Sequence, residues 1–510
     1  MADSSDLANE GVLKDYDEST TRALRTRVID AFAQELRRDI PGCTLLTDKE
    51  DVAPYECDGL AAYRQLPLGV VLAESEAEVQ GVLRQCARHG IPVVPRGAGT
   101  GLSGGAMPLR EGVVLSLARM RKIIDVDPYA RTATLQPGVR NLAISEAAAP
   151  YGLYYAPDPS SQIACTIGGN IAENSGGVHC LKYGLTVNNV VRVRAVTMDG
   201  EICEFGSLAP DAPGLDLLAV LIGSEGMFAI VTEVTVRLIP KPQVAQVVMA
   251  SFDDVEVGGA AVAAIIAAGI IPAGLEMLDR AAAQAVEEFV HAGYDTEAAS
   301  ILLCESDGTP EEVAEEIERL TSLLVERGAT RVEISTSEAE RLRFWSGRKN
   351  AFPAAGRLSP DYYCMDGTVP RRAIGPLLLC IGKMEERYQL RCINVFHAGD
   401  GNMHPLILFN GNDRAEWLRA EEFGAAILEA CVELGGTVTG EHGIGVEKIN
   451  SMCVQFSAGE RDMFFAVKHA FDPQRLLNPD KGIPTRARCA EYGRLHVRGG
   501  LLPHPDIPRF

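Results

Sequence analysis

The stretch from Pro95 to Pro108 constrains the fold more than any other part of this 510-residue chain. It reads PRGAGTGLSGGAMP and contains the pattern G-x-G-x-x-G at residues 99–104, with Asp125 roughly twenty residues further on. In a Rossmann unit this pattern follows a strand and opens a helix. A strand is predicted over Ile91–Val94, but glycine and proline recur over residues 105–112 and leave no room for the helix. The Rossmann interpretation is therefore excluded.

The same loop suits a phosphate group. Glycine accepts positive φ and lets successive backbone N–H groups converge on an anion. Arg96 adds a guanidinium that can form charge-assisted hydrogen bonds with it. We therefore predict a phosphate-binding loop, and a tight hairpin without a ligand is the competing interpretation.

The charge of the chain limits its partners. The formal net charge is −21, whereas nucleic acids and anionic membranes require a cationic face. The acidic N-terminus has neither a secretory nor a transit signal, so a cytoplasmic location is expected. The uncharged stretch Val257–Leu275 is long enough for a membrane span. However, glycines and a proline interrupt it, and a short helix followed by a strand is expected instead, with no transmembrane segment.

The order of apolar runs, glycines and prolines along the sequence predicts an α+β protein. Short apolar runs punctuated by glycine and proline fill residues 51–240, without the steady strand–helix alternation of a doubly wound sheet. After Lys241–Pro242, two strand–helix–strand units over residues 246–277 and 300–335 predict a ferredoxin-like domain. The expected divisions are an N-terminal helical segment (1–50), a cofactor domain (51–240), a substrate or cap domain (241–440), a C-terminal return that completes the site (441–485) and an extended tail (486–510).

The strongest chemical signal lies in the C-terminal half. The motif HAGDGNMH places His397 and His404 seven residues apart, and the motif GEHGIG adds Glu441 and His442. Two imidazoles and a carboxylate form a ligand set for zinc, manganese or iron, with coordination positions left open for substrate. Asp400 is either a fourth ligand or a residue that holds the turn. No C-x-x-C pattern occurs among the thirteen cysteines, so nothing local indicates an iron–sulfur cluster.

Three segments together resemble the FAD proteins of the vanillyl-alcohol-oxidase type, which have a PCMH-type FAD-binding domain. They are the glycine-rich loop, the run from PDPSS (157–161) to TIGGNIAENSGG (166–177), and GSEGMFAIVT (223–232). The resemblance implies FAD, held noncovalently because the loop contains neither histidine nor cysteine. The residues that it assigns to the cofactor are Arg96, Gly97, Gly99, Thr100, Gly101, Ser103, Gly104, Pro157, Asp158, Ser161, Thr166, Gly168, Gly169, Asn174, Gly176, Glu225, Gly226, Ile230 and Asn478.

The chain from about residue 50 to 485 also resembles the branch that contains glycolate oxidase FAD subunits, D-lactate dehydrogenases and D-2-hydroxyglutarate dehydrogenases. This resemblance implies that His397, His404 and Glu441 bind the metal. It further implies that Asn402 contacts the substrate and that His442 is the base. Within WSGRKNAF, Arg348 matches the arginine that binds the substrate carboxylate.

One departure from this branch concerns substrate size. The 2-hydroxyglutarate enzymes place a lysine for the distal carboxylate shortly before a D-x-x-x-P stretch. Here the segment reads YCMDGTVP, and Cys364 lies near that place. The departure favours a short monocarboxylate, such as glycolate or D-lactate. The stretch Trp345–Arg372 is most similar to the glycolate oxidase subunits.

The resemblance implies oxidation of a small 2-hydroxy acid by hydride transfer to flavin N5, with His442 taking the hydroxyl proton. Because the chain has no cluster of its own, a second FAD-domain subunit and an iron–sulfur subunit are expected to carry electrons towards quinone at the inner membrane. A D-lactate dehydrogenase acting alone is the alternative within this class. A non-redox transferase on the same fold, a metal-dependent hydrolase and a silent FAD-holding subunit are the alternatives outside it.

Overall fold

A computed structural model describes residues 18–209 and 214–484 of the chain. It contains helices and strands in both halves, and the expected α+β class is confirmed. The expectations for the first 17 residues and for the tail 486–510 lie outside the described residues. None of the described helices is both long and apolar enough to span a bilayer. The uncharged stretch near residue 260 is divided between a helix and a strand, as expected.

The first half contains eight helices, eleven strands and two 3-10 turns within the described residues. The helices are α1 Glu18–Asp39, α2 Lys49–Val52, α3 Glu76–His89, α4 Asn141–Ala148, α5 Ile167–Glu173, α6 Cys180–Tyr183, α7 Thr186–Asn189 and α8 Leu217–Leu221, with 3-10 turns at Ala53–Tyr55 and Ala149–Tyr151. The strands are β1 Thr44–Leu46, β2 Gly69–Leu72, β3 Val93–Arg96, β4 Val113–Ser116, β5 Ile123–Asp127, β6 Thr132–Leu135, β7 Leu153–Tyr154, β8 Val190–Val196, β9 Ile202–Gly206, β10 Ile230–Arg237 and β11 Ile239–Pro240.

The glycine-rich loop joins two parallel strands of a small sheet. The sheet has the order β1-β2-β4-β3, and its neighbouring strands β3 and β4 are paired in parallel. The residues between β3 and β4 form no helix, as the sequence predicts. Two loop glycines have positive φ, +72° at Gly99 and +77° at Gly104, a conformation that side chains other than glycine rarely adopt.

Helix α3 covers this sheet and shows how local sequence sets its ends. The Ser75 side chain accepts a hydrogen bond from the backbone N–H of Glu78, and Gly90 ends the helix in a left-handed conformation. Its apolar face, which includes Val79, Val82 and Leu83, is fully buried. A second sheet, antiparallel with the order β5-β6-β10-β8-β9, completes this half.

The second half contains nine helices, seven strands and a 3-10 turn within the described residues. The strands are β12 Val244–Phe252, β13 Gly274–Asp279, β14 Ser300–Gly308, β15 Arg331–Ile334, β16 Asp361–Cys364, β17 Arg391–Phe396 and β18 Pro405–Phe409. The helices are α9 Val255–Ala267, α10 Arg280–Val290, α11 Pro310–Glu326, α12 Glu338–Lys349, α13 Ala351–Leu358, α14 Ile374–Tyr388, α15 Arg414–Glu433, α16 Met452–Gln455 and α17 Ala458–Phe471, and the 3-10 turn is Arg371–Ala373.

The expected ferredoxin-like arrangement is confirmed. Strands β12 to β15 lie in the order β15-β12-β14-β13, and every pairing among them is antiparallel. Three further strands, which the sequence did not predict, extend this sheet beyond β13 in the order β17-β18-β16. Strands β17 and β18 form a hairpin, and its turn carries the motif with His397 and His404.

The C-terminal return packs against the first half. Leu477 forms a bridge with Val93 beside the glycine-rich loop and is fully buried. The ammonium group of Lys468 donates hydrogen bonds to the backbone oxygens of Met227 and Leu477 and to the carboxylate of Asp472. Because these buried polar groups satisfy one another, the return is fixed against the first half.

Candidate active site

A cavity of about 480 Å³ lies between the glycine-rich loop, residues 159–175, residues 221–231 and the C-terminal motif with Glu441 and His442. Its volume is within the range of small-molecule and cofactor sites. The three segments that the sequence assigned to FAD therefore surround one space, and the histidine–carboxylate motif borders it.

The predicted cofactor residues divide into two groups. Twelve of them line the cavity: Arg96, Gly97, Gly99, Thr100, Gly101, Ser161, Thr166, Gly168, Gly169, Glu225, Gly226 and Ile230. The other seven are not among the residues that line it: Ser103, Gly104, Pro157, Asp158, Asn174, Gly176 and Asn478. Among the residues predicted for chemistry, His404, Glu441 and His442 line the cavity, while Arg348, His397 and Asn402 do not.

The wall of the cavity fits a cofactor that lies against the backbone. A Cβ atom added at Gly101 would meet nothing nearer than Asp58 at 3.9 Å, and one at Gly169 nothing nearer than Thr166 at 3.6 Å. A side chain at either position would project into the open cavity. In addition, the buried hydroxyl of Thr166 has no hydrogen-bond partner within the protein. A bound ligand with polar atoms can satisfy it.

Asn478 forms side-chain hydrogen bonds that hold the glycine-rich loop in place. Its amide nitrogen donates hydrogen bonds to the backbone oxygens of Gly105 (3.0 Å) and Glu225 (2.7 Å). The Glu225 carboxylate in turn accepts hydrogen bonds from the backbone N–H groups of Ile444 and Gly445, both at 2.7 Å. The loop, the third flavin-type segment and the C-terminal motif therefore form one connected unit.

Other predicted cofactor residues also hold the wall in place. The Asp158 carboxylate pairs with Nδ1 of His179 at 2.8 Å, while the opposite ring nitrogen lies 3.2 Å from Glu305 of β14. The Asn174 side chain accepts a hydrogen bond from the backbone of Val187. His179 thus connects the flavin-type segment to the second half, a contact that the sequence analysis did not anticipate.

His397, His404 and Glu441 converge as the sequence analysis expected. One ligand atom from each lies within 4.8 Å of the others. Nε2 of His404 is 3.0 Å from Oε1 of Glu441, and Nε2 of His397 is 3.3 Å from the same oxygen. The backbone N–H of Gly176 donates to the second Glu441 oxygen at 3.0 Å. This donor set fits a divalent metal held by two imidazoles and a carboxylate.

Glu276 joins the proposed metal group to Arg348. Its carboxylate is fully buried in β13 and accepts a hydrogen bond from Nε of Arg348 at 2.5 Å. The other oxygen lies 2.6 Å from Nδ1 of His397. Burial alone would raise the pKa of Glu276, but the positive charges of His397 and Arg348 hold it below the ordinary value. A carboxylate placed behind a ligating histidine fixes its tautomer and ring orientation.

Replacing Glu276 with glutamine is expected to weaken metal binding by about 10- to 100-fold, because His397 loses its orienting carboxylate. The chain should also retain less activity, since Arg348 loses its buried counter-ion. Metal affinity is measured by competition with a chromophoric chelator. Glu338→Gln, which alters an exposed carboxylate that pairs with Arg341, is the control. Equal affinity in the Glu276 variant and the parent would contradict the assignment.

Asp366 organises the backbone of the C-terminal motif. Its buried carboxylate accepts hydrogen bonds from the N–H groups of Gly440, Glu441 and His442 and from the ammonium of Lys448. Burial would raise the pKa of Asp366, but charge interactions with His442, Lys448 and His404 hold it well below the usual range. Asp366 lies in the segment YCMDGTVP, and no role for it was predicted from the sequence.

His442 has the protonation state that a general base needs. Burial lowers the pKa of its imidazole to about 4, although the Asp366 carboxylate opposes this effect. The ring is therefore neutral at pH 7. It stacks parallel to the ring of His404 with 4.9 Å between centroids, and its Nδ1 has no hydrogen-bond partner.

Arg348 and Asn402 each have one buried side-chain polar atom without a hydrogen-bond partner. Nη2 of Arg348 is unpartnered although the residue is only 3% exposed. The side-chain oxygen of Asn402 is also buried without a partner, and it abuts Gly440. Buried polar atoms in proteins usually have a hydrogen-bond partner, so an unpartnered one indicates that a group outside the protein chain supplies the hydrogen bond. These two atoms are therefore available to a ligand.

A carboxyl group that the sequence analysis overlooked also lines the cavity. Glu173 ends helix α5 within the second flavin-type segment, and its Oε2 has no hydrogen-bond partner. Burial and the neighbouring Glu225 raise the pKa of Glu173 well above its ordinary value. The group is therefore a candidate hydrogen-bond donor on the cavity wall.

Comparison with known proteins identifies the class. The model described as "FAD binding domain" matches residues 67–206, and the model described as "FAD linked oxidases, C-terminal domain" matches residues 241–482. The solved structure of p-cresol methylhydroxylase has a TM-score of 0.75 to this chain at 18% identity, covering 90% of this chain and 97% of that one. At that identity the likeness shows the fold, and the PCMH-type fold is confirmed.

Curated relatives narrow the class further. Glycolate oxidase subunit GlcD of Escherichia coli K12 is 58% identical over 98% of both chains. Glycolate oxidase subunit GlcD of Bacillus subtilis is 38% identical over 85% of this chain and 93% of that one. A D-lactate dehydrogenase of Anaerostipes hadrus is 32% identical over 87% and 95%. The chain belongs to the FAD-linked oxidase family that contains the glycolate oxidase GlcD subunits.

Proposed function

We propose that this FAD-linked oxidase converts a short 2-hydroxy acid, glycolate or D-lactate, into the 2-oxo acid. One observation carries the proposal: buried polar contacts run from Arg348 through Glu276 and His397 to Glu441, and Glu441 borders the flavin cavity. A carboxylate-binding guanidinium and a metal-ligand set are thereby fixed relative to each other. The fixed pair matches the carboxylate and the hydroxyl of a 2-hydroxy acid.

Each residue has a distinct role in this proposal. Bound FAD supplies the acceptor for two electrons, and a divalent metal on His397, His404 and Glu441 supplies a Lewis acid. The free Nη2 of Arg348 binds the substrate carboxylate. Asn402 contacts the substrate with its unpartnered oxygen. The neutral imidazole of His442 accepts the hydroxyl proton, and orientation of the substrate by these groups lowers the barrier further.

The surroundings of Cys364 support a short substrate. This residue ends β16 and is 7% exposed, and Lys448 nearby already bonds to the Asp366 carboxylate and to the backbone oxygen of Gly443. A second substrate carboxylate at this place would therefore meet a neutral thiol and a lysine that is already committed to Asp366. We infer that glycolate and D-lactate are accepted and that D-2-hydroxyglutarate is a poor substrate.

The relatives named as GlcD are subunits, which supports assembly with other chains. We propose that a second FAD-domain subunit and an iron–sulfur subunit reoxidise the flavin and pass electrons to quinone. In this proposal the chain is cytoplasmic, FAD is noncovalent, and contact with the inner membrane is made through these partners.

An anaerobic absorbance titration tests the reaction. The purified protein is mixed separately with glycolate, D-lactate, L-lactate and D-2-hydroxyglutarate. Loss of the oxidised flavin bands is expected with glycolate or D-lactate, because hydride transfer reduces the flavin without any partner subunit. L-Lactate and D-2-hydroxyglutarate should leave the bands unchanged over the same time. A yellow protein that none of the four acids bleaches would overturn the proposal and favour a non-redox or silent flavin subunit.

A further inference from the structure

A second group of candidate metal ligands shares His404 with the first. Cys364, His404 and His442 each place one ligand atom within 4.8 Å of the others. This group contains a thiol, and the first group has none. Soft thiolate ligands select ions such as Zn²⁺ and Cu⁺, whereas imidazole and carboxylate ligands also suit harder divalent ions. The two groups therefore differ in the ions that they select.

Unpartnered nitrogen atoms show which side of each ring is available. Nε2 of His404 pairs with Glu441 at 3.0 Å, whereas its Nδ1 has no hydrogen bond although the residue is only 2% exposed. That Nδ1 lies 3.9 Å from Asp366, the second residue after Cys364. Nδ1 of His442 is also buried and unpartnered.

The thiol itself is only weakly engaged. Sγ of Cys364 contacts the backbone oxygen of Met365 at 3.4 Å and has no other hydrogen bond within the described residues. Burial and the carboxylates of Asp366 and Glu447 raise the pKa of the thiol well above its usual range. A binding ion must therefore displace the thiol proton to solvent, and the same carboxylates attract that ion.

We propose that Cys364, His404 and His442 form a soft-metal site that inhibits the enzyme. A Zn²⁺ or Cd²⁺ ion bound there takes the lone pair of the proposed base, His442. It also takes the ring that the first metal group needs, because a neutral imidazole has one acceptor nitrogen. Occupation of this site and occupation of the His397–His404–Glu441 group therefore exclude each other. The ion-binding part is independent of the proposed hydroxy-acid oxidation, and only the inhibition rests on it.

Titration of the FAD-loaded protein with Cd²⁺ tests this site. In the parent protein, the ultraviolet difference spectrum should gain a thiolate-to-cadmium charge-transfer band, and turnover should fall in parallel. Cys364→Ser should lose the band and require more than about 10-fold more Cd²⁺ for the same inhibition, an effect at least as large as the loss of one outer-shell partner. The matched control is Cys392→Ser, another buried thiol that contacts only the next backbone oxygen along its own strand.

The outcomes are distinct. Absence of the cadmium–thiolate band in the parent protein would overturn the proposal without reference to any variant. If Cys364→Ser kept both the band and the inhibition, the proposal would also be overturned. If the band were lost in Cys392→Ser and kept in Cys364→Ser, the cadmium-binding thiolate would be Cys392, which would likewise overturn the proposal. A parent protein that shows the band but oxidises none of the four hydroxy acids would keep the metal site and refute the proposed function.

Discussion

Replacing His442 with asparagine is expected to lower kcat by about 10²- to 10⁴-fold, the usual contribution of a general base. The imidazole is neutral at pH 7 because burial lowers its pKa to about 4, and it borders the flavin cavity. Asparagine keeps a polar side chain but accepts no proton. Steady-state turnover and the rate of anaerobic flavin reduction by glycolate measure the effect.

The variant should remain yellow and keep its metal, because His442 belongs neither to the FAD-lining glycines nor to the His397–His404–Glu441 group. His469→Asn, which changes an exposed histidine in the last turn of α17, should leave kcat unchanged. If His442→Asn reduced its flavin at the parent rate, another group would have to accept the hydroxyl proton.

Replacing Glu441 with glutamine is expected to reduce bound metal to near zero and kcat/KM by about 10³-fold or more, since a catalytic metal contributes several kcal/mol to the barrier. Glutamine retains an oxygen for the Gly176 N–H, so the fold should persist. It removes the charge that lies between His397 and His404. Elemental analysis and substrate-dependent turnover measure the two effects.

Chelation of the parent protein gives an independent comparison. The parent should lose activity with the chelator and recover it when metal is restored, whereas the Glu441 variant should not recover. Glu447→Gln, which changes a buried carboxylate six residues further on, should keep its metal. Full metal content in the Glu441 variant would show that this carboxylate is not a ligand.

The sequence predicted those parts of the site that depend on local chain geometry. The glycine-rich loop could be separated from a Rossmann turn because proline and glycine after residue 104 prevent a helix, a purely local effect. The His397–His404 motif was equally visible, since both histidines lie in the turn of a single hairpin. Glu441 was assigned to the same group from ligand chemistry and from the resemblance, because nothing local joins residues so far apart.

Glu276 and Asp366 were not predicted, although both are fully buried and organise the site. Their partners lie far away in sequence: Arg348 is 72 residues beyond Glu276, and His397 is 121 residues beyond it. One local signal existed. Glu276 is the one acidic residue in the interior of the strand GLEMLD, and a charged side chain that is fully buried requires a partner. Its partners, however, are known only once the strands are assembled.

The extra strands β16, β17 and β18 were missed for a related reason. Arg391–Phe396 and Pro405–Phe409 are short apolar runs that fit either a buried strand or part of a helix. Their identity is decided by pairing between strands: β17 pairs with β13 across more than a hundred residues of sequence, and β18 pairs with β17 and β16. Hydrophobic pattern alone does not contain that information.

The hydrogen bond from Gly176 to Glu441 joins the flavin-type wall to the proposed metal group. Any shift of that backbone when FAD binds changes the position of a metal-binding oxygen. Thermodynamic linkage then requires reciprocity: the factor by which FAD strengthens metal binding equals the factor by which metal strengthens FAD binding. Under the proposed function, flavin and metal would therefore be coupled ligands of one chain, and depletion of either would change the occupancy of the other.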